Sequence, residues 1–387
     1  MPSELLALVI DSIVSGKGTF FRYITANDVG TTGGHQAGFY VPKEASSLLF
    51  APLGQKGENK ERTVKICWQG EFETESCFKY YGCGTRNEYR ITRFGRNFPY
   101  LREEYTGSLL VFTQKDDAYY TAFVLEREQD IEGFFSHFNI SPTANSVLLH
   151  SSVEETSVLE ERLRAIFLKR YTTCFPDARV LAFWGEKFEL VCRGYNRRHI
   201  VHHPDDVLLA WINREFELFK TLEEAIYSPI YSTPFASCEE LISFANTILN
   251  RRKSRAGRSL ELHLERIFRY SGLPFATQAQ TEGNKRPDFL FPSEEAYHDP
   301  HFTPSQLYFL GAKTTCKDRW RQILNEADRI PNKHLFTLQK GISRPQLTEM
   351  RKAGVHLVVP KAHLTAFDKE YQSQILSLER FIEMVKN

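Results

Sequence analysis

Two different hydrophobic periods run along this chain, and no single core accommodates both. Between residues 17 and 126, short runs rich in aromatic and β-branched residues recur at 19–25, 37–41, 63–68, 78–81, 89–94, 109–113 and 119–125, with turn signals between them. That spacing predicts a small all-β barrel or sandwich. Past residue 258 the pattern becomes mixed. A helix over 259–270 precedes two short apolar strands, and strand 334–338, helix 344–353, strand 355–359 and helix 371–385 follow. Strand, helix, strand is the unit that builds a parallel or mixed sheet. Between the two regions, 205–250 reads as helical, including 211–226. Ser141-Pro142-Thr143 and Glu154-Glu155 before an apolar 158–168 read as a hinge and a connecting helix. The expected organisation is therefore a β domain over 1–140, a linker over 141–172 and an α/β domain over 173–387; 387 residues suffice for both cores.

Composition narrows the class. With 42% hydrophobic and 25% charged residues the chain is an ordinary globular one, and no apolar run approaches the roughly 20 residues of a membrane span. The apolar stretch 5–13 is short, carries acids and lacks a basic start, so it reads as a buried helix rather than a signal. Seven cysteines without a Cys-x-x-Cys pair argue against a disulfide framework or structural zinc, and a reducing cytoplasm is the simplest home. Neither a Walker loop nor a dinucleotide fingerprint is present, so no organic cofactor is expected. The net charge of +1 hides two local clusters of cations, Arg251, Arg252, Lys253, Arg255 and Arg258, and Arg86, Arg90, Arg93, Arg96 and Arg102. Such patches bind phosphate backbones while acids elsewhere cancel the total. For the first cluster a solvated helix end remains an alternative.

The chemistry concentrates between residues 287 and 327. Pro287-Asp288 opens the apolar run Phe289-Leu290-Phe291; a second run, 307–312, ends at Lys313; Glu326 follows thirteen residues later. Phosphodiester hydrolysis needs oxygen ligands for a hard cation such as Mg²⁺ and a lysine to stabilise developing charge and position water. Two adjacent strands would bring Asp288 and Lys313 together. Trp320, Ile323, Leu324 and Ala327 have helical spacing over 318–330, which would turn Arg319, Gln322 and Glu326 to the other face. The spacing alone is equally compatible with a Pro-Asp strand start and two solvated charges.

A long resemblance decides between them. The blocks 250–265, 275–279, 281–285 and 313–328 resemble the catalytic half of the EcoRII-like type IIE restriction endonucleases, and Ala26-Asn27-Asp28, 32–36, Thr85-Arg86-Asn87-Glu88 and 90–93 resemble their N-terminal effector domain. The resemblance implies a multi-domain protein: a B3-like, DNA-binding β pseudobarrel, then a PD-(D/E)XK nuclease domain. One departure from the superfamily pattern is Gly311, where an acid is expected two residues before the lysine. Related restriction enzymes move that acid to the following helix, which points to Glu326. Asp288 and Glu326 would then hold Mg²⁺, with Lys313 on the phosphate. Glu261 would be a further ligand or would orient water; a solvated helical glutamate is its alternative.

The family also implies what reads the DNA. Lys317, Asp318 and Arg319 offer donor, acceptor and donor at a helix start, matching guanine O6/N7 and cytosine N4, with Asp318 as a simple helix cap the alternative. The match implies CCWGG, cut before the first C to leave 5′-phosphates. Arg251, Arg252, Lys253 and Arg255 are expected on the DNA backbone. His35, Tyr40, Arg86, Glu88, Arg90 and Arg93 match the effector surface that binds another copy of the site, although Gly84 and Tyr89 stand where the family carries lysines. A symmetric target implies a homodimer, and a restriction enzyme implies pairing with a cognate DNA methyltransferase. Two other readings stay open at this point: a non-catalytic DNA-binding regulator on a decayed nuclease fold, and a structure-selective repair nuclease.

Overall fold

The computed structural model describes residues 3–30, 38–144, 146–149, 158–317 and 319–386. Helix α1 (Glu4–Val14) accounts for the apolar N-terminal stretch, with Ser3 capping it through an Oγ that accepts from Leu6 N at 3.1 Å. All seven expected strand runs then form: β1 (Gly18–Tyr23), β2 (Phe39–Val41), β3 (Asn59–Trp68), β4 (Phe72–Tyr81), β5 (Glu88–Thr92), β6 (Leu109–Gln114) and β7 (Tyr119–Leu125). Helix α2 (Glu128–His137) follows. An eighth strand, β8 (Ser146–Leu149), lies in the segment read as a hinge and pairs antiparallel with β1, covering an edge that would otherwise expose unpaired backbone. The sheet order is β2-β5-β4-β3-β7-β6-β1-β8.

Strands β1, β6 and the end of β7 carry apolar residues on both faces, and packing explains why. Phe20, Leu110, Phe112 and Val124 point into an aromatic core with Trp68 and Phe78. Phe21, Leu109, Val111 and Phe123 point the other way, where α1 and α2 cover them with Leu6, Val9, Ile131 and Phe134. Helix α2 is thus held by Ile131 and Phe134, leaving Glu128 and Glu132, one turn apart, to meet the second half of the molecule.

The second half begins with a helical layer: α3 (Val158–Tyr171), α4 (Ala178–Cys192), α5 (Arg197–His202), α6 (Pro204–Tyr231) and α7 (Cys238–Tyr270). Helix α3 belongs to this layer rather than standing apart as a connector. Phe167 is buried with Trp184, Phe188, Leu218 and Phe219, and Glu160 pairs with Arg214 at 2.5 Å. The sheet beyond it comprises β9 (Ala276–Thr277), β10 (Phe289–Phe291), β11 (Tyr308–Lys313), β12 (Lys333–Thr337), β13 (Val355–Val359) and β14 (Leu376–Ser377), in the order β14-β13-β12-β11-β10-β9. Pairings on β10 are antiparallel, and those from β11 to β14 are parallel. Short helices α8 (Glu294–His298) and α10 (Lys369–Gln372), with α9 (Arg344–Lys352) and α11 (Leu378–Lys386), complete the domain. The expected single helix over 371–385 is broken, because Leu376–Ser377 extends the sheet before α11 starts.

Each face of this sheet is covered. Leu260, Leu264, Ile267 and Phe268 of α7 pack with α6 and α11 against Phe289, Phe291, Leu310 and Phe336. Trp320, Ile323, Leu347 and Met350 cover Leu290, Phe309, Leu335 and Leu357 on the other side. The consequence for function is positional: α7 and the 319–330 segment arrive at the ends of β10 and β11 from opposite faces.

Candidate active site

Residues Phe289 and Leu310 are register partners, so Asp288, one residue outside β10, lies beside the last residues of β11. The Ala312 N–H donates to Asp288 Oδ2 at 2.8 Å, and Lys313 Nζ sits 3.2 Å from the same oxygen. Gln278 Nε2 donates to the other oxygen at 3.3 Å. The expected meeting of Asp288 and Lys313 at neighbouring strand ends is thus what the backbone produces. Glu261, one residue past the buried Leu260 of α7, looks over the sheet rim and accepts from Arg258 at 2.6 Å. Burial, and then the charge of Asp288, push the Glu261 carboxyl above its ordinary range. The same two causes raise Glu326, while Lys313 opposes them. Asp288, Lys313, Glu261 and Glu326 therefore form one electrostatic cluster.

Gly311 explains the position of Glu326. A Cβ on Gly311 would lie 3.0 Å from Ile323 Cγ2, so Ile323 occupies the ground above it. The expected α-helix over 318–330 is instead a 3-10 segment, Arg319–Asn325, closed by Glu326 N donating to Ile323 O at 3.1 Å. Three residues per turn eclipse positions i and i+3. Glu326, the first residue past the segment, comes within electrostatic reach of Asp288 and Lys313. Ala327 then turns with φ 50° and is buried, which ends the segment.

The donor set suits a hard cation. Among the described residues no group of three or more His, Cys, Asp or Glu is close enough to form a closed metal cage. Mg²⁺ needs none, because it keeps several waters and binds through one or two carboxylates plus substrate phosphate. Burial first, and then the charge of Asp288, raise the Glu261 and Glu326 carboxyls, and a divalent cation bound beside them would oppose both effects.

The neighbouring segment, where Lys317 and Arg319 are expected to read DNA, is engaged by the other domain. Arg319 Nε donates to Glu128 Oε1 at 2.7 Å, its backbone N–H donates to Glu128 Oε2 at 3.2 Å, and its Nη2 pairs with Glu132. Thr315 Oγ1 donates to Glu128 at 2.5 Å. Lys317 is buried, with Nζ 2.9 Å from Ser108 Oγ in the loop before β6. Asp318 lies outside the described residues. Gln339 holds the segment from below: its Oε1 accepts from the N–H groups of Cys316 and Lys317 at 2.8 and 3.1 Å. Sequence reasoning missed Glu128, Glu132 and Gln339. The two glutamates one turn apart were visible as an acidic helix face, but their partner lies about 190 residues away and no local pattern connects them. Between α2 and the catalytic rim a cavity of about 440 Å³ is lined by Glu132, Phe135, Arg252, Glu261, Lys313 and Arg319, among others.

The cations expected on the DNA backbone divide. Arg255 is buried, 3.6 Å from Glu215 and stacked over Phe216 and Phe219, so it serves the helical core. Arg252 is held by Glu223 at 2.7 Å and by the carbonyls of Ser136 and His137 at the end of α2. Arg251 bonds Tyr227 Oη at 3.1 Å, and Lys253 is exposed. On the β domain, Tyr40 and Arg90 are register partners and Glu88 lies 3.3 Å from Arg90, so these three side chains share one surface. Arg93 is 3.8 Å from Glu61 and Arg86 stacks over Tyr81 at 5.7 Å; His35 lies outside the described residues.

Comparisons with known proteins match both halves. The EcoRII C-terminal family matches residues 219–382, and the EcoRII N-terminal family of restriction endonucleases matches residues 13–150. The type II restriction enzyme EcoRII of Escherichia coli is 37% identical over 384 residues, covering 94% of this chain and 92% of that protein. Among solved structures, metal-depleted Ecl18kI in complex with uncleaved DNA has a TM-score of 0.46 at 19% identity, over 59% of this chain and 83% of that one. A PspGI–substrate DNA complex has a TM-score of 0.45 at 14% identity, over 55% and 92%. With both halves and nearly the whole length matched in sequence, the chain belongs to the EcoRII family of type II restriction enzymes, site-specific deoxyribonucleases.

Proposed function

We propose that the chain is a Mg²⁺-dependent, homodimeric type IIE restriction endonuclease of the cytoplasm that cuts CCWGG before the first C, protecting a cell whose own sites a cognate methyltransferase modifies. The observation that carries this reading is the convergence of Asp288, Lys313, Glu261 and Glu326 at one sheet end. When bound there, Mg²⁺ would neutralise phosphate charge and lower the pKa of the attacking water. Asp288 and Glu326 would hold it, Lys313 would face the phosphate and Glu261 would orient water. Arg319 and Lys317, with Asp318, would read base edges, and Arg251 and Arg252 would reach phosphates once they leave their partners in the chain.

The β domain, read as a B3-like pseudobarrel, would bind another copy of the site through His35, Tyr40, Arg86, Glu88, Arg90 and Arg93. In the structure Arg319 is held by Glu128 and Glu132, and two carboxylates on a guanidinium compete directly with guanine for the same donors. Effector DNA that draws the β domain away would release that contact, so regulation acts on reading. Digestion of an unmethylated plasmid with Mg²⁺ or with EDTA, followed by sequencing of the fragment ends, tests the proposal. Ends sharing CCWGG, formed only with Mg²⁺, are expected; no cutting, or cutting that follows DNA structure, would reject it.

A further inference from the structure

The α6–α7 hairpin projects beyond the folded body. No residue over 237–250 is buried, and Ile230, Tyr231, Leu241 and Ile242 are 44–59% exposed. The thirteen helical residues 238–250 extend about 20 Å, and an isolated helix of that length is marginal in water. One side of α7 is supported, since Phe244 packs on Tyr227 and Phe235 at ring distances of 5.3 and 5.5 Å.

The opposite side carries an ordered stripe. Glu239, Ile242, Asn246, Leu249 and Lys253 follow at steps of three and four residues, a heptad seam with apolar residues inside and opposite charges at its ends. Farther along α7 the same face continues as Leu260, Leu264 and Ile267, which this chain's own sheet covers. Over 239–253 none of its residues is buried: Glu239, Ile242, Asn246 and Lys253 are exposed and Leu249 half-buried, with Lys253 at the edge of the cavity beside α2. Laid antiparallel on a copy of itself about Asn246, the stripe brings Glu239 of each subunit toward Lys253 of the other. That is the self-complementary arrangement a two-fold axis requires.

We infer that this stripe is the surface on which a second copy of the chain docks. The inference rests on the homodimer proposed above and names its contact. It assigns Lys253 to the subunit interface rather than to a phosphate. It also has a catalytic consequence: Glu261 lies eight residues beyond Lys253, about 12 Å along the same helix, so pairing two α7 helices sets the separation of the two active sites.

Sedimentation velocity of the full chain across a concentration series tests this. The unaltered chain is expected to be a dimer. Ile242→Asp combined with Leu249→Asp should convert it to monomer without moving the far-UV circular dichroism, because neither side chain is buried. Glu239→Lys and Lys253→Glu alone should each raise the dimer Kd at least about tenfold by placing like charges together, and the two combined should restore it. A dimer whose Kd none of these variants moves would overturn the stripe as the contact while leaving the homodimer standing. A chain that is monomeric at every concentration, with and without a CCWGG duplex in EDTA, would overturn the homodimer and this inference together.

Discussion

Lys313 and Glu326, proposed for catalysis, flank in sequence the segment 317–319, proposed for reading, yet the fold treats the two sets oppositely. Asp288, Lys313, Glu261 and Glu326 take their places from elements of the second domain alone: the ends of β10 and β11, the rim of α7 and one 3-10 segment. Arg319 and Lys317 are bonded to groups of the first domain, Glu128, Glu132 and Ser108. In the proposed function, the residues for chemistry are together while those for recognition are occupied. Under the function proposed above, such an enzyme would be restrained by losing its grip on the target sequence, and its hydrolytic residues would need no rearrangement on release.

Removing Lys313 or Asp288 gives the largest expected effect. Lys313→Ala or Asp288→Ala should lower cleavage by at least about 100-fold, because charge placement at the phosphate is lost. Gel shifts in Ca²⁺ or EDTA should show specific binding largely kept. Retention of more than a few per cent of cleavage by Lys313→Ala would break the proposed cluster.

Arg319→Ala probes the other side of the comparison. It should weaken binding to cognate DNA by about 1–3 kcal/mol per lost bidentate contact, with little change on scrambled DNA. Equal losses on both would place Arg319 on a phosphate and remove the basis for restraint through reading.

The raised carboxyls give a pH signature. A glutamate whose pKa rises on folding prefers its neutral form there, so its ionisation costs stability once the pH exceeds the unfolded value, fully so above the folded one. Glu261 and Glu326 both shift upward, for burial and for the charge of Asp288. Mg²⁺ should cancel that cost. The increment in melting temperature produced by Mg²⁺ should therefore grow as pH rises through the carboxylate range toward neutrality, and Glu326→Gln should shrink it. An increment independent of pH would separate these groups from the metal.

Gly311→Asp sharpens the account of where the acid went. A Cβ there meets Ile323 Cγ2 at 3.0 Å, and overpacking of that kind costs about 1–3 kcal/mol. The variant should melt earlier and should not rescue Glu326→Ala in a cleavage assay. Rescue would show that the ground above Gly311 is open to a carboxylate.

How much was legible follows the same divide. The strands 19–25 through 119–125 and the Asp288–Lys313 pairing were readable because side-chain alternation and strand adjacency are local. The helix expected over 318–330 became a 3-10 segment, because covering Gly311 with Ile323 is a tertiary demand that overrides spacing. Strand β8 was missed, since four residues carry too little pattern to compete with a Ser-Pro hinge signal. Arg255 reads as one more cation in a basic run; only the buried Glu215 beside it shows why it faces inward. The Glu128 and Glu132 contacts were invisible for the same reason, their partner being in another domain.

The central claim is that α2 restrains the enzyme by occupying Arg319, and the most direct measurement is cleavage of a plasmid with a single site by Glu128→Gln combined with Glu132→Gln. Both substitutions keep side-chain shape while removing the charges that hold the guanidinium. The account predicts faster cleavage than the unaltered chain on the one-site plasmid and a smaller difference on a matched two-site plasmid. Cleavage of the one-site plasmid that is unchanged or slower would contradict it.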